Sequence, residues 1–379
     1  MPNSLFSRRD FSRALGSLAV AFAAPSLPLP LDARTPEPAS GNFVRLNFNE
    51  NPYGPSPKAL EALNSCGQIA GRYPMAAYLE FTDALAKNYN MSRENIALGC
   101  GSTEILRCVD MAFLGPGKNI VAAEPTFEAV LEYARITRAE AVKIPLTADH
   151  RHDLPKMAAA CTSKTGVVYV CNPNNPTATF VTREELAAFI HAVPSSTLIL
   201  VDEAYFELAD DARYGSAAEW TLQNPNLVIS RTFSKVYGMA GMRLGYAVGA
   251  KETIALIRKQ AIQDNGNAAV LAAGLASLSD TDHISSCRDK LIATRNWLCS
   301  ELAKDGHTYI PSQANFVMID MGADVLPIIQ QFAARNILVG RRFPSLGNFL
   351  RVTIGTQQET ETFVAALREI TQARASKAA

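Results

Sequence analysis

Between Ile96 and Val248 seven short apolar runs alternate with amphipathic stretches, and no other feature of the chain constrains its fold as strongly. The runs are Ile96–Leu98, Ile120–Ala123, Ala141–Ile144, Val167–Cys171, Leu198–Val201, Leu227–Ser230 and Leu244–Val248. The stretches between them include Thr103–Leu114, Phe127–Arg135 and Arg183–His191, each with helical periodicity. Strands that alternate with helices pair in parallel, because each helix carries the chain back across one face of the sheet. The expected architecture is α/β, a mainly parallel sheet with helices on both faces, and ligands of such sheets bind beyond the C-terminal ends of the strands.

After Lys251 the rhythm changes. Long helical patterns (Glu252–Gln263, Ala268–Leu278, Ser285–Lys304) precede strands at Asn315–Ile319, Leu338–Val339 and Leu350–Ile354, and a helix from Glu359 to about Ala373 closes the chain. This predicts a second, smaller α+β domain, with no internal repeat and no helix-turn-helix appendage. Two or three domains also follow from 379 residues at ~150 per domain. Hydrophobic residues at 48% supply a large core, and Lys plus Arg (36) balance Asp plus Glu (36), so no global field favours nucleic acid or an acidic membrane. A small-molecule ligand is the expectation. Seven cysteines without a Cys-x-x-Cys pair or metal spacing form no disulfide or metal framework.

The first forty residues differ from the rest. Ser7-Arg8-Arg9-Asp10-Phe11 precedes an apolar run of eleven residues, Ala14 to Ala24, and then a Pro-rich stretch to Ser40. Eleven residues fall short of the ~20 that cross a bilayer, so no permanent membrane span is expected. The pattern resembles a twin-arginine export signal followed by a linker, which implies a periplasmic protein. Ala21-Phe22-Ala23 fits small-x-small cleavage, as do sites further along the linker. The competing reading is the basic N-terminus of a cytoplasmic protein.

Gly99-Cys100-Gly101-Ser102-Thr103-Glu104 joins a strand to a helix, a context in which backbone N–H groups and the helix dipole hold an anion. Glu104 replaces the third glycine of the dinucleotide fingerprint, which disfavours a nicotinamide cofactor. Three further segments each follow a strand end: Asn172-Pro173-Asn174-Asn175-Pro176-Thr177, Val201-Asp202-Glu203-Ala204-Tyr205, and Thr232-Phe233-Ser234-Lys235 with Arg243 eight residues on. Taken singly they are a turn, a helix cap and an exposed pair. Taken together, in this order and at strand ends, they resemble the fold-type I, class I/II aminotransferases that use pyridoxal 5'-phosphate. The histidinol-phosphate aminotransferase branch is the nearest in kind. The resemblance covers Asn47 to the C-terminus.

The resemblance implies a role for each residue. Lys235 would hold the cofactor covalently through its amine and then shuttle the α-carbon proton. Asp202 would keep the pyridine nitrogen protonated, and Asn175 and Tyr205 would hydrogen-bond the phenolic oxygen. Thr232, Ser234 and Arg243 would meet the phosphate together with the backbone of Gly101, Ser102 and Thr103, and Phe127 would stack on the ring. Arg351, in Leu350-Arg351-Val352, matches the arginine that clamps the substrate α-carboxylate. Tyr53, in Asn49-Glu50-Asn51-Pro52-Tyr53-Gly54, matches a residue that reaches the cofactor phosphate of a neighbouring subunit and lines the substrate site, which implies a homodimer with shared sites. Arg341 and Arg342 both lie where members acting on phosphorylated substrates carry an arginine. Ala178 departs from the usual glycine after Asn-Pro-Thr.

On this reading residues 1–40 are signal and linker and 41–65 pack on the small domain and the dimer partner. Residues 66–265 form the large cofactor-binding domain and 266–379 the small one. The implied activity moves an amino group between an amino acid, or an amine like histidinol phosphate, and a 2-oxo acid. The same constellation also serves Cβ-replacement, lyase, racemase and decarboxylase chemistry, and a non-catalytic cofactor sensor is a further alternative. His150-Arg151-His152-Asp153 reads as a solvated loop rather than a metal site. Met239, Met242 and glycines 238, 241 and 245 read as tight backbone passage beneath the phosphate.

Overall fold

A computed structural model describes residues 43–378; the segment read as export signal and linker lies outside the described residues. The chain enters on β1 (Val44–Leu46) and builds two helices, α1 (Pro57–Ser65) and α2 (Met75–Asn88). Ser56 starts α1: its hydroxyl accepts the Ala59 amide, and Pro57, with no N–H to satisfy, takes the first turn. The alternating region follows as β2 (Ile96–Cys100), α3 (Ser102–Phe113), β3 (Asn119–Glu124), α4 (Ala129–Ile136), β4 (Glu140–Pro145) and α5 (Leu154–Ala159). It continues through β5 (Thr165–Cys171), α6 (Arg183–Ala192), β6 (Leu198–Asp202), β7 (Leu227–Thr232), β8 (Leu244–Gly249) and α7 (Lys251–Arg258). All seven apolar runs are strands of one sheet, in the order β2-β8-β7-β6-β5-β3-β4.

Strands β3 to β7 pair in parallel. Strand β8 runs antiparallel to both β7 and β2, because the link from β7 turns back through a short 3-10 turn instead of crossing the sheet on a helix. Alternation along each strand separates two cores. Val121, Val168, Ile199 and Ile229 point to one face, while Ile120, Val167, Leu200 and Val228 point to the other, and all are fully buried.

The remaining elements are α8 (Ala268–Ser279), α9 (Thr281–Lys304), β9 (Tyr309–Ile310), β10 (Phe316–Asp320), α10 (Leu326–Ala333), β11 (Ile337–Val339), β12 (Phe349–Thr353) and α11 (Gln357–Ala378). Strands β12-β10-β9 form an antiparallel sheet, and β1 pairs in parallel with β11. Leu46 from β1 joins Phe316, Phe332, Leu350 and Phe363 in a further core. Helix α8 packs on α1 and α2, with Leu271 and Ala273 in the first core. The helix expected over Glu252–Gln263 ends at Arg258, where the amides of Gln260 and Ala261 turn onto the carbonyls of Ile257 and Arg258; Asp264 then takes a left-handed backbone and Asn267 caps α8. Among the described residues no helix is long and apolar enough to cross a membrane.

Candidate active site

The C-terminal ends of β5, β6 and β7 bring the three segments together. The parallel register sets Asp202, at the end of β6, beside Cys171 on β5 and Ser230 on β7. Its carboxylate is buried and accepts two hydroxyl donors, Tyr169 Oη on Oδ2 at 2.9 Å and Ser230 Oγ on Oδ1 at 2.8 Å. Burial lifts the carboxyl above its ordinary range, and the two donors oppose that lift. Both donors sit inside apolar strands, where nothing local marks them as functional. The next residue, Glu203, pairs with Arg231 at 2.8 Å and receives Ser216 Oγ and the Ala217 amide. The Arg231 guanidinium also lies 3.7 Å from the Phe206 ring centroid. This buried pair ties the ends of β6 and β7 together, and removing one partner of such a pair costs about 3–5 kcal/mol.

Lys235 follows β7 by way of Phe233, whose ring is anchored in the core. Its Nζ donates to the carbonyls of Asn49 (2.9 Å) and Phe48 (3.4 Å) and lies 5.4 Å from the Tyr205 ring centroid. Burial, and then the charges of Arg351 and Arg243, push the amine down to about 8, against Glu50 and Asp202. Near neutral pH a useful fraction of it is therefore an unprotonated nucleophile. Tyr205 Oη accepts from Asn49 Nδ2 at 3.0 Å, and burial raises the phenol.

A second focus lies at the start of α3. Gly101 is at φ +75°, and a Cβ placed on it would come within 2.2 Å of Arg243 Nη2. A Cβ on Gly245 would come within 2.2 Å of the Ser102 amide, so β8 passes directly beneath the helix start. Arg243 Nη1 donates to Ser234 Oγ (3.3 Å) and the Ala240 carbonyl (2.9 Å), and Thr232 Oγ1 donates to Ser234 Oγ (2.9 Å). Arg243 itself is left-handed at φ 60°, a strain of about 1–2 kcal/mol that the surrounding contacts hold. A helix N-terminus, a guanidinium and two hydroxyls thus converge on the place where a phosphate would sit.

Arg351 on β12 lines the third side. Its Nη1 donates to Asn175 Oδ1 (3.0 Å) and its Nη2 to the Asn47 carbonyl (2.9 Å), while its buried Nε has no partner. Burial pushes the guanidinium down to about 10. A buried, incompletely satisfied guanidinium is a site prepared for a carboxylate.

Two more of the residues named from sequence have these neighbours. Phe127 is half-buried between β3 and α4, packed on the second face of the sheet. Tyr53 faces the Lys290 ammonium, 5.0 Å from its ring centroid, on α9. Ala178 is left-handed at φ 60°, which is why glycine suits this turn, and its methyl is fully buried. The four-residue segment from His150 is not the solvated loop expected. His152 is buried, with its imidazole pushed down to about 4 by that burial, and Asp153 caps α5. Among the described residues no group of three or more ligating side chains could hold a metal. Asn47 and Asn49 were missed from sequence; their only signal is their place in the Asn47 to Gly54 segment.

The pattern described as aminotransferase class I and II matches residues 41–367. The chain is 38% identical over 332 residues to the histidinol-phosphate aminotransferase of Moorella thermoacetica, covering 87% of this chain and 86% of that one. It is 37% identical over 322 residues to an aromatic amino acid aminotransferase of Rhodococcus jostii, covering 85% and 88%. The crystal structure of a histidinol-phosphate aminotransferase from Sinorhizobium meliloti in complex with pyridoxal-5'-phosphate superposes with a TM-score of 0.81 at 27% identity, covering 87% and 91%. The chain belongs to the class I and II aminotransferases. It is an aminotransferase with the aspartate-aminotransferase-like α/β fold.

Proposed function

We propose that this aminotransferase holds pyridoxal 5'-phosphate on Lys235 and transfers the amino group of an α-amino acid to a 2-oxo acid. The observation that supports the reading is the Lys235 amine on the Asn49 carbonyl, with Arg243 bonded to the preceding residue, Ser234, and Arg351 bonded to Asn47 of the same loop. Its pKa is lowered by burial and then by the charges of Arg351 and Arg243. The residues fit the cofactor: Gly101 leaves open the space a Cβ would fill beside Arg243, and Arg351 keeps a buried donor in reserve. Bound there, the cofactor supplies an electron sink for charge developing at the substrate α-carbon.

The chain's own groups do the rest. Ser102, Thr103, Thr232, Ser234 and Arg243 bind the phosphate. Asp202, fixed by Tyr169 and Ser230, holds a proton on the ring nitrogen. Tyr205 and the amide nitrogen of Asn175 orient the phenolic oxygen, since the Asn175 oxygen is engaged by Arg351. Arg351 would grip the α-carboxylate and so aim the α-C–H bond at the Lys235 amine, which, once released by the incoming substrate amine, would take that proton and return it to the carbon two bonds away.

For the substrate we favour a broad amino acid donor with 2-oxoglutarate or a similar acceptor over histidinol phosphate alone, because an exported enzyme lies outside cytosolic histidine synthesis. A panel of donors, followed by the absorbance change of the cofactor and by product analysis, tests this. Turnover of histidinol phosphate alone refutes it. Lys235→Ala should abolish the half-reaction and leave the fold intact, and near-normal turnover by that variant refutes the role of Lys235.

The same reading includes a homodimer. Leu60, Ile69, Tyr73, Met75 and Leu79, on α1, α2 and the turn between them, leave large apolar groups exposed, which supports a covering second copy with Tyr53 reaching its cofactor phosphate. Light scattering should give twice the chain mass; a monomer at micromolar concentration rejects the shared site. Arg8-Arg9 support export after folding, which would let the cofactor be loaded in the cytosol. Fractionation should place a shortened, loaded enzyme in the periplasm, and replacing both arginines by lysine should retain it, full length, in the cytoplasm. A full-length wild-type chain in the cytoplasm refutes export alone.

A further inference from the structure

Two guanidinium groups flank one ring at the substrate side of the site. The Arg351 guanidinium lies 5.0 Å from the Phe343 ring centroid and that of Arg341 lies 4.3 Å from it. Gly340 allows this crowding: a Cβ there would come within 2.9 Å of the Arg351 Cβ and 2.8 Å of its carbonyl oxygen. The chain after β11 therefore lies flat on Arg351, and the next side chain, Arg341, emerges beside it. Arg342 leaves elsewhere, pairing with Asp324 at 2.7 Å and resting on Gly347. Of the two arginines that compete in the sequence, only Arg341 is near enough to bear on the charge of Arg351.

Arg341 is already occupied. Its Nη2 donates to Glu128 Oε2, and its Nη1 donates to the Arg342 carbonyl at 3.3 Å. Glu128 directly follows Phe127 and precedes α4, so the pair joins the chain after β11 to the chain after β3. Both partners remain partly open to solvent, at 32% for Arg341 and 53% for Glu128. Pairs this exposed hold weakly, so a substrate anion can displace the carboxylate, but it must do so before it gains Arg341. A donor with an uncharged side chain meets no such competition and leaves the pair closed.

We infer that Glu128 is a specificity-determining residue: by holding Arg341 in a neutralised pair, it favours donors with uncharged side chains over donors that bring a second carboxylate or a phosphate. The inference rests on the reading that Arg351 takes the substrate α-carboxylate. It differs from a simple anion pocket because the discriminating group is an acid, carried after β3, that holds an arginine carried after β11.

The test compares the wild-type enzyme with Glu128→Gln, Arg341→Gln and the double variant. Half-reaction kcat/KM is measured for phenylalanine, glutamate and histidinol phosphate, and maleate binding is measured by calorimetry on the same loaded proteins. Glu128→Gln should raise kcat/KM for glutamate and histidinol phosphate about 5- to 30-fold, as expected for one freed charge-assisted contact, while phenylalanine stays within about twofold. Maleate should bind tighter by a similar factor, and Arg341→Gln in the same chain should cancel both gains. Equal gains for phenylalanine, or no gain for any anion in kinetics and binding alike, overturn the inference. If no donor reacts in any variant while maleate still tightens in Glu128→Gln alone, the amino-donor reading fails and the role of Glu128 stands.

Discussion

The amine of Lys235 should capture its cofactor with a pH profile set by its surroundings. An ordinary lysine side chain loses its proton at 10.5, and burial with two neighbouring guanidinium groups brings Lys235 to about 8. At pH 7 the neutral fraction rises from ~0.03% to ~9%, roughly 300-fold, although a less basic amine attacks somewhat more slowly and gives part of that back. The cofactor-free chain would be mixed with pyridoxal 5'-phosphate from pH 6 to 10 and the absorbance change on covalent capture followed in stopped flow. Nα-acetyl-lysine in the same buffers reports the aldehyde's own pH response. After that correction the rate should climb about tenfold per pH unit and bend to a plateau near pH 8. Arg351→Leu removes the second cause of the shift but not the first, so the bend should move up in pH without reaching the ordinary lysine value. A rate that rises without a bend past pH 9.5 would show that the amine does not sit in this environment, and the account of its nucleophilicity would fall with it.

Gly101→Ala places a methyl 2.2 Å from Arg243 Nη2 at a φ of +75°, so it should cost about 1–3 kcal/mol of stability in the cofactor-free chain and weaken cofactor affinity; unchanged affinity in equilibrium titration contradicts the cradle. Asp202→Asn should lower the half-reaction rate by roughly a hundredfold or more, about 3 kcal/mol, with the fold retained by circular dichroism. Asp110 on α3 is buried, neither carboxylate oxygen has a partner, and burial alone raises it to about 8. The folded state therefore keeps a proton that the unfolded chain gives up near 3.8, and stability is lost as pH rises from about 4 to 8. Asp110→Asn should raise the unfolding temperature by much more at pH 8 than at pH 5, and equal gains refute the assignment. Ala178→Gly trades relief of a left-handed alanine against a lost buried methyl and a looser unfolded chain, so its net effect should stay within about 1 kcal/mol by chemical denaturation.

The features legible in the sequence are those whose information is local. The strands of the large sheet other than β4, which carries Lys143, are mainly apolar runs, and Asp202 and Lys235 stand at or just beyond strand ends, so pattern and motif sufficed. Tyr169 and Ser230 were hidden because their role depends on register: only the pairing of Asp202 with Ser230, and of β5 with β6, shows that both hydroxyls meet one carboxylate. Helix α2 has no side-chain cap and α5 is only six residues long, so neither carries a strong local signal. His152 misled because a short polar segment has no period to say which side chain turns inward. Buried beside two polar neighbours in sequence, it looks the same as an exposed one.

The segment from Asn47 to Asn51 shows most plainly why the site exceeds its motifs. Asn49 donates its amide to Thr353 Oγ1, 304 residues away, and its side chain to Tyr205 Oη, while its carbonyl accepts from both Lys235 Nζ and Asn315 Nδ2. Asn47 offers its carbonyl to Arg351, and Asn51 Nδ2 donates to the Val236 carbonyl next to Lys235. One short loop thus joins Lys235, Tyr205 and Arg351, which come from the ends of β7 and β6 and from β12. A covalent bond at Lys235 Nζ would displace its donations to Asn49 and Phe48, while the bonds of Asn49 to Thr353, Tyr205 and Asn315 would remain. The Arg351 contact on Asn47 would then stay in register with Lys235. Asn49 itself takes the left-handed backbone, at φ 56°, a conformation that asparagine adopts more readily than most residues.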